Sequence, residues 1–403
     1  MAVTETTTTS WGSRLGSSVK GVLVGLGLFI LGFPLLFWNE GDTVRTRKAL
    51  DEGEGACVHV ESIDQVDPAY EGRLVHMSGR ADTQEVLSDG QFGVSERAIK
   101  LIRTVEMYQW EEESRSSTKK KLGGGTETTT TYTHRPVWSS QVLETPSHPE
   151  PGKDMTNPGA MEFESDETVA GTVTFGAFRL SGSQIASIGG ASPYVFPTNW
   201  VCPVAKCVRN GSVVYVPNAA SRNGSESNVI RNVVSTPMIG DMRVRFDVVR
   251  PHEISIVARQ YGDTFVKYTA KNKKSVQLLS DGVKDADEMF ASAQSANTVK
   301  CWIFRFIGFL MMFFGLSMVF KPLSVLGDVV PFIGTILEFG IGLVSFVLAL
   351  VCALVTIAIA WLFYRPIIGI LLLVAAGALV FWLKSRRRKS VPAPEPGVTG
   401  GAA

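Results

Sequence analysis

Three apolar runs toward the C-terminus, residues 302–320, 341–362 and 366–383, constrain the fold of this chain more than any other feature. The first holds 19 residues, about 28 Å of α-helix at about 1.5 Å per residue, against a bilayer core of ~30 Å. Helices inside water-soluble proteins seldom stay apolar all round for so long. A fourth run covers residues 22–38. It is longer than a signal-peptide core and no small-x-small cleavage site follows it, so it reads as an uncleaved signal anchor. Aromatic Phe37 and Trp38 close it at headgroup level.

The 403 residues carry a formal net charge of +1, which gives nucleic acid no electrostatic reason to bind. Charged residues make up 19% and hydrophobic ones 45%, a mixture that suits a water-facing domain joined to a few spans. The expected fold class is an α+β membrane protein. It has four transmembrane helices, one N-terminal and three C-terminal, and a large β-rich extracytoplasmic or lumenal domain. Residues 1–20 read as a disordered cytoplasmic tail, 21–38 as the first span and 39–280 as the β-rich domain. Residues 281–300 read as an amphipathic linker helix and 301–383 as a three-helix bundle (302–320, 335–362, 366–383). Residues 384–403 read as a basic, Pro/Gly-rich cytoplasmic tail.

Orientation follows from Lys and Arg at the span ends. Arg14 and Lys20 precede the first span, and Lys384, Arg386, Arg387, Arg388 and Lys389 follow the last. Four spans put both termini on one face, which the positive charge assigns to the cytoplasm. Arg45, Arg47 and Lys48 point the other way, but long domains translocate largely regardless of charge. Gly21, Gly25 and Gly32 form a small-residue stripe on the first span, which predicts close approach of another helix.

Residues 40–300 read mainly as strands. Leu74-Val75-His76-Met77 and Val213-Val214-Tyr215-Val216 are short β-branched or apolar runs, and residues 169–178 alternate. Asn210-Gly211 marks a two-residue hairpin. Residues 99–110 and 128–138 read as two arms of a longer hairpin. Its tip, with Lys119-Lys120-Lys121 and Gly123-Gly124-Gly125, lacks the order of a phosphate loop and reads as a mobile, solvated turn. Val283, Ala286, Met289, Phe290, Ala293 and Ala296 recur at helical spacing, capped by Ser280 or Asp281. Cys202 and Cys207 are five apart. They suit a disulfide in an exported domain or two reduced, buried thiols.

Signals of chemistry are weak. His59, His76, His134, His148 and His252 show no metal spacing, and no Gly-x-Ser-x-Gly elbow occurs. No catalytic, cofactor-binding or metal-binding residue is therefore expected, and no small-molecule substrate is identified. Arg305, Glu338 and Arg365 are read as membrane-boundary charges. A charge at a span's centre costs about 2.5–3.5 kcal/mol on insertion scales, and the deep positions here are apolar, which disfavours a channel or transporter.

Six blocks resemble the LUMA family of four-pass membrane proteins. They are Trp38-Asn39-Glu40-Gly41, Glu71-Gly72-Arg73-Leu74-Val75-His76 and Val105-Glu106-Met107-Tyr108-Gln109-Trp110, then Gly240-Asp241-Met242-Arg243-Val244-Arg245-Phe246, Ile256-Val257-Ala258-Arg259-Gln260 and Trp361-Leu362-Phe363-Tyr364-Arg365-Pro366. They fall in family order over residues 38–366; residues 123–235 show no family block. The resemblance implies one N-terminal span, a large lumenal or extracytoplasmic domain and three C-terminal spans. It also implies self-association and association with other membrane proteins, and it brings no catalytic residues. The expectation is a non-enzymatic multi-pass organiser in a bacterial cell membrane, or alternatively in the endoplasmic reticulum or inner nuclear membrane. The rival is a lipid-handling or enzymatic protein at the outer leaflet, its site under the amphipathic helix.

Overall fold

The computed structural model describes residues 3–218, 233–366 and 374, without the side chains of residues 331–334. The chain divides into two compact units. The first comprises residues 1–15, 46–297 and 325–334; the second comprises 16–45, 298–324 and 335–403.

The first unit is β-rich. Its main strands are β1 (Val3–Thr9), β2 (Leu74–Asp82), β3 (Lys100–Lys120), β4 (Thr126–Ser139), β5 (Met242–Val249), β6 (His252–Tyr261) and β7 (Leu278–Asp281). One sheet runs β1-β4-β3-β5 and continues through Val213–Val216 and Val208–Asn210. The expected hairpin forms there one residue later than read, with Asn210 paired to Val213 and Gly211-Ser212 as the turn, Gly211 at a φ of 62°. A second sheet runs from β7 through β6, Thr264–Val266, Phe178–Arg179 and Thr174–Phe175 to β2, and β2 pairs back onto β6.

Alternation explains which faces are buried. Met242, Val244, Phe246 and Val248 of β5 point into the main core. β6 is buried on both faces along its middle. Ile254, Ile256 and Ala258 join the main core, whereas Val257 turns to a second core with Leu74, Ala49, Leu50, Met289 and Phe290. That second core holds the ends of two long helices, α1 (Trp11–Ala56) and, after the short α2 (Gly182–Ser187), α3 (Ala286–Gly327).

Several expectations are corrected here. Residues 1–20 do not form a loose tail: β1 pairs with β4 over Val3–Thr9, and α1 begins at Trp11 behind the cap Ser10. Threonine favours the pleated strand, and Thr4, Thr6 and Thr7 face Thr131, Thr129 and Thr128. The first helix does not stop at Trp38 but runs to Ala56. The linker helix is not separate: residues 286–327 are one helix. Ser280 and Asp281 lie in β7 and Val283 in the loop before the helix. Residues 169–178 break into Asp166–Val169, Thr174–Phe175 and Phe178–Arg179 around positive-φ Gly176.

The long hairpin forms with longer arms than expected, and its tip is not free. Trp11 donates to the Val325 carbonyl at 2.9 Å, Arg14 to Gly124 O at 2.5 Å, and Gly123 N–H to Val329 O at 3.2 Å. Through the Arg14 contact the hairpin tip meets the N-terminal end of α1.

The second unit holds the apolar middles of α1, α3 and α4 (Pro331–Tyr364). Among the described residues three helices are long and apolar enough to cross a membrane: Trp11–Ala56, Ala286–Gly327 and Thr335–Tyr364. Large apolar side chains such as Leu23, Phe306 and Phe339 are exposed along them, as lipid-facing positions require. The fourth expected span, residues 366–383, lies almost wholly outside the described residues, as does the basic tail. The chain is thus an α+β protein with three candidate membrane helices, one N-terminal and two C-terminal, and a β-rich middle.

Candidate functional site

Where α1 leaves its apolar stretch, Trp38-Asn39-Glu40-Gly41 presents polar groups to its neighbours. Glu40 is completely buried. Arg305 of α3 grips it with both prongs, Nε to Oε1 at 2.6 Å and Nη2 to Oε2 at 3.0 Å. Trp361 of α4 donates its indole N–H to Oε2 at 2.8 Å. The Arg305 guanidinium lies 4.8 Å from the Trp302 ring centre and 5.7 Å from that of Trp361. One turn of α3 earlier, Asn39 donates to the Cys301 carbonyl at 3.2 Å, and Lys300 pairs with Asp42 at 3.1 Å. A forked cation matched to a carboxylate gives direction as well as charge. Both carboxylate oxygens are occupied by N–H donors, so the group locks three helices rather than meeting a substrate.

Glycine sets the spacing of the same helices. A Cβ on Gly25 would come within 2.6 Å of Gly315 O, and one on Gly315 within 2.6 Å of Gly25 O. A Cβ on Gly32 would meet Met312 and Gly308 O. The matches Gly25 with Gly315 and Gly32 with Gly308 run in opposite directions along α1 and α3, so the two helices pack antiparallel. Gly21 sits more loosely, 3.8 Å from Met318. Of the other boundary charges, Glu338 lies on an exposed part of α4, and Arg365 follows α4 with its Cζ 6.0 Å from the Trp361 ring.

A second buried carboxylate belongs to the β-rich unit. Asp328, in the turn between α3 and α4, meets Arg14 at 2.5 Å and Lys120 at 2.7 Å. Burial pushes its carboxyl up, but the hydrogen bonds from Lys120 and Arg14 outweigh that and hold it below the usual range.

The histidines do not converge on a metal. Among the described residues no group of three His, Cys, Asp or Glu side chains forms a metal-binding set. His59 and His76 do meet, Nδ1 to Nδ1 at 2.8 Å, while His76 Nε2 donates to Lys284 O at 2.8 Å. That donation leaves His76 Nδ1 as acceptor, and burial lowers the His76 pKa. Cys202 and Cys207 are joined in a disulfide, with Cα atoms 6.3 Å apart. Burial, helped by Asp287, pushes the Cys57 thiol up to about 11, away from a nucleophile's range.

Sequence reasoning named Arg305 and the α1 glycines but missed Glu40, Trp361, Gly308, Gly315 and Asp328. Glu40 and Trp361 each stand inside a block that carried the LUMA resemblance, which was the available signal. Nothing local marks Asp328.

Comparison with known proteins agrees. The family model described as Transmembrane protein 43 matches residues 107–366, more than half of the chain. The human protein named Transmembrane protein 43 is 34% identical over 391 residues, covering 94% of this chain and 92% of its own length. The rat protein of that name is 33% identical over 370 residues, covering 89% and 88%. A Drosophila melanogaster homologue is 29% identical over 366 residues, covering 89% and 93%. No solved structure matches.

Proposed function

The chain belongs to the Transmembrane protein 43 (LUMA) family of membrane proteins, and from that premise we propose that it is a non-enzymatic membrane organiser. In this reading it binds copies of itself and other membrane proteins through its β-rich unit and its spans. On the same reading both termini are cytoplasmic and the β-rich domain is extracytoplasmic or lumenal. The membrane is a bacterial cell membrane or, as eukaryotic relatives suggest, the endoplasmic reticulum or inner nuclear membrane.

The observation that carries this reading is the open sheet at β1-β4-β3. Among the described residues β1 pairs with β4 alone, and β3 beyond Tyr108 pairs with β4 alone, with Asn157 covering the outer side of Trp110, so the β1 edge and the β3 edge past Trp110 are open to a further strand. Such edges are templates for another strand. In this reading a second copy supplies the strand that covers them. Proline at Thr6 and Thr8 would disrupt pairing at the β1 edge. Crosslinking of the full chain in membranes should capture oligomers with the parent and lose most of them with that double variant. A strictly monomeric parent that captures no neighbour would end the proposal.

A cleft under α3 favours a second reading, lipid handling at the outer leaflet.

A further inference from the structure

The β-rich unit contains a cleft of about 560 Å³ between α2, β7 and the first turns of α3. This is within the range of small-ligand sites. Its two walls differ. Met289, Ala293 and Ala296 share one face of α3 and make an apolar side. Lys267, Ser275, Gln277, Ser280 and Ser292 make a polar side. Their side chains have no hydrogen-bond or ion-pair partner within the described protein, so their bonding capacity is turned outward.

Lys267 is the single charged residue in the lining, which selects an anion. The neighbouring hairpin, Tyr268–Thr269 with Ser275–Val276, carries Lys271, Lys273 and Lys274 against the Glu52 carboxylate, which accepts from Tyr268 and the Lys271 N–H. The acidic residues of α3's first turn, Asp287 and Glu288, are not in the lining. Serine hydroxyls, a glutamine amide and an ammonium group supply the donors that phosphate oxygens accept.

The cleft shares its helix with an apolar run. Ala296 precedes Trp302, the first residue of the apolar run, by six residues, about 9 Å of the same helix. The headgroup layer adds about 5–7 Å to each side of the hydrocarbon core. An apolar α3 wall beside a phosphate-accepting polar wall fits a molecule with an anionic head and an acyl tail. We propose that this cleft binds the phosphate headgroup of an anionic phospholipid, held by Lys267 and the serines with its chains along Met289, Ala293 and Ala296. The assignment stands apart from the organiser reading, since it needs no protein partner.

The test uses the full chain in phosphatidylcholine nanodiscs doped with phosphatidic acid, with retained lipid read by native mass spectrometry. The parent should retain phosphatidic acid over phosphatidylcholine by about tenfold, as one charge-assisted contact implies. Lys267→Gln removes the charge, and Ser292→Trp fills the cleft from an exposed position. Both should abolish the preference while circular dichroism and thermal unfolding stay as in the parent. Equal retention of the two lipids by the parent, or a preference that survives both variants, overturns the proposal. Calorimetry of the detergent-solubilised chain with inorganic phosphate and glycerol 3-phosphate separates the sources. Affinity for either as high as for phosphatidic acid would make the ligand a free phosphate ester and overturn the lipid assignment. Oligomer crosslinking of the same variants should be unchanged.

Discussion

Glu40 and Asp328 are both carboxylates withdrawn from water, yet they are satisfied in different ways. Glu40 sits among three apolar helices, gripped by a guanidinium fork and an indole N–H, each contact depending on angle. Asp328 sits at a turn and takes one cation on each oxygen, from long side chains on a helix start and a strand end. The first arrangement fixes geometry; the second balances charge. A fully buried carboxylate has no water to fall back on, so at Glu40 direction is specified by the fork and the indole. At Asp328, equally buried, two flexible side chains bring charge from separate elements and tolerate more error in position.

The largest effect is expected at Glu40. Glu40→Ala leaves Arg305 buried without its partner and should cost about 3–5 kcal/mol, measured by reversible unfolding in detergent. Glu40→Leu with Arg305→Met should recover most of that loss, because no charge then stays stranded. A double variant as unstable as the single one would show that the pair does more than satisfy itself.

Next is the helix spacing that lets Glu40 reach Arg305. Gly25→Leu forces a side chain against the Gly315 backbone and should cost about 1–3 kcal/mol by overpacking. Disulfide trapping between cysteines on α1 and α3 should slow accordingly, and unchanged trapping would remove glycine contact as the spacer.

Asp328→Asn should cost about 1–3 kcal/mol, felt locally at the hairpin tip. The sign of its pH dependence follows from its lowered pKa. The stabilisation is complete above the ordinary carboxylate value of 3.8 and is lost as pH falls through the lower folded value. Amide exchange at Gly123 and Gly124 should therefore rise in strong acid in the parent, whereas the variant should exchange faster already at neutral pH. Acid-insensitive exchange in the parent would mean the tip is held by other contacts.

The smallest effects sharpen the contrast most. Lys120→Arg keeps the charge at Asp328 and should change stability by less than about 0.5 kcal/mol. Arg305→Lys keeps the charge at Glu40 but loses the fork, and should cost more than that. Equal costs would erase the distinction between the two sites.

Much of the fold was legible because it rests on local pattern. The apolar runs in α1, α3 and α4 and the arms of the long hairpin follow from residue periodicity, and Gly211 marked the short hairpin to within one residue. The Gly25 and Gly32 stripe was legible too, since small residues on one face have few other uses in a span. What escaped had no local mark. Residues 3–9 look like a disordered tail because threonine is polar, and their strand exists only through a partner more than a hundred residues away. The helix of residues 281–300 was placed too early because Val283 matched the period by chance.

The sequence by itself settled that this chain carries membrane-length helices and a β-rich polar domain. Run length and alternation are one-dimensional properties, and bilayer thickness and strand pleat read them directly. Only the tertiary structure decided which groups meet. Glu40 finds Arg305 across 265 residues and Arg14 finds Asp328 across 314. Such pairings depend on how helices and strands return past one another, which no local spacing encodes.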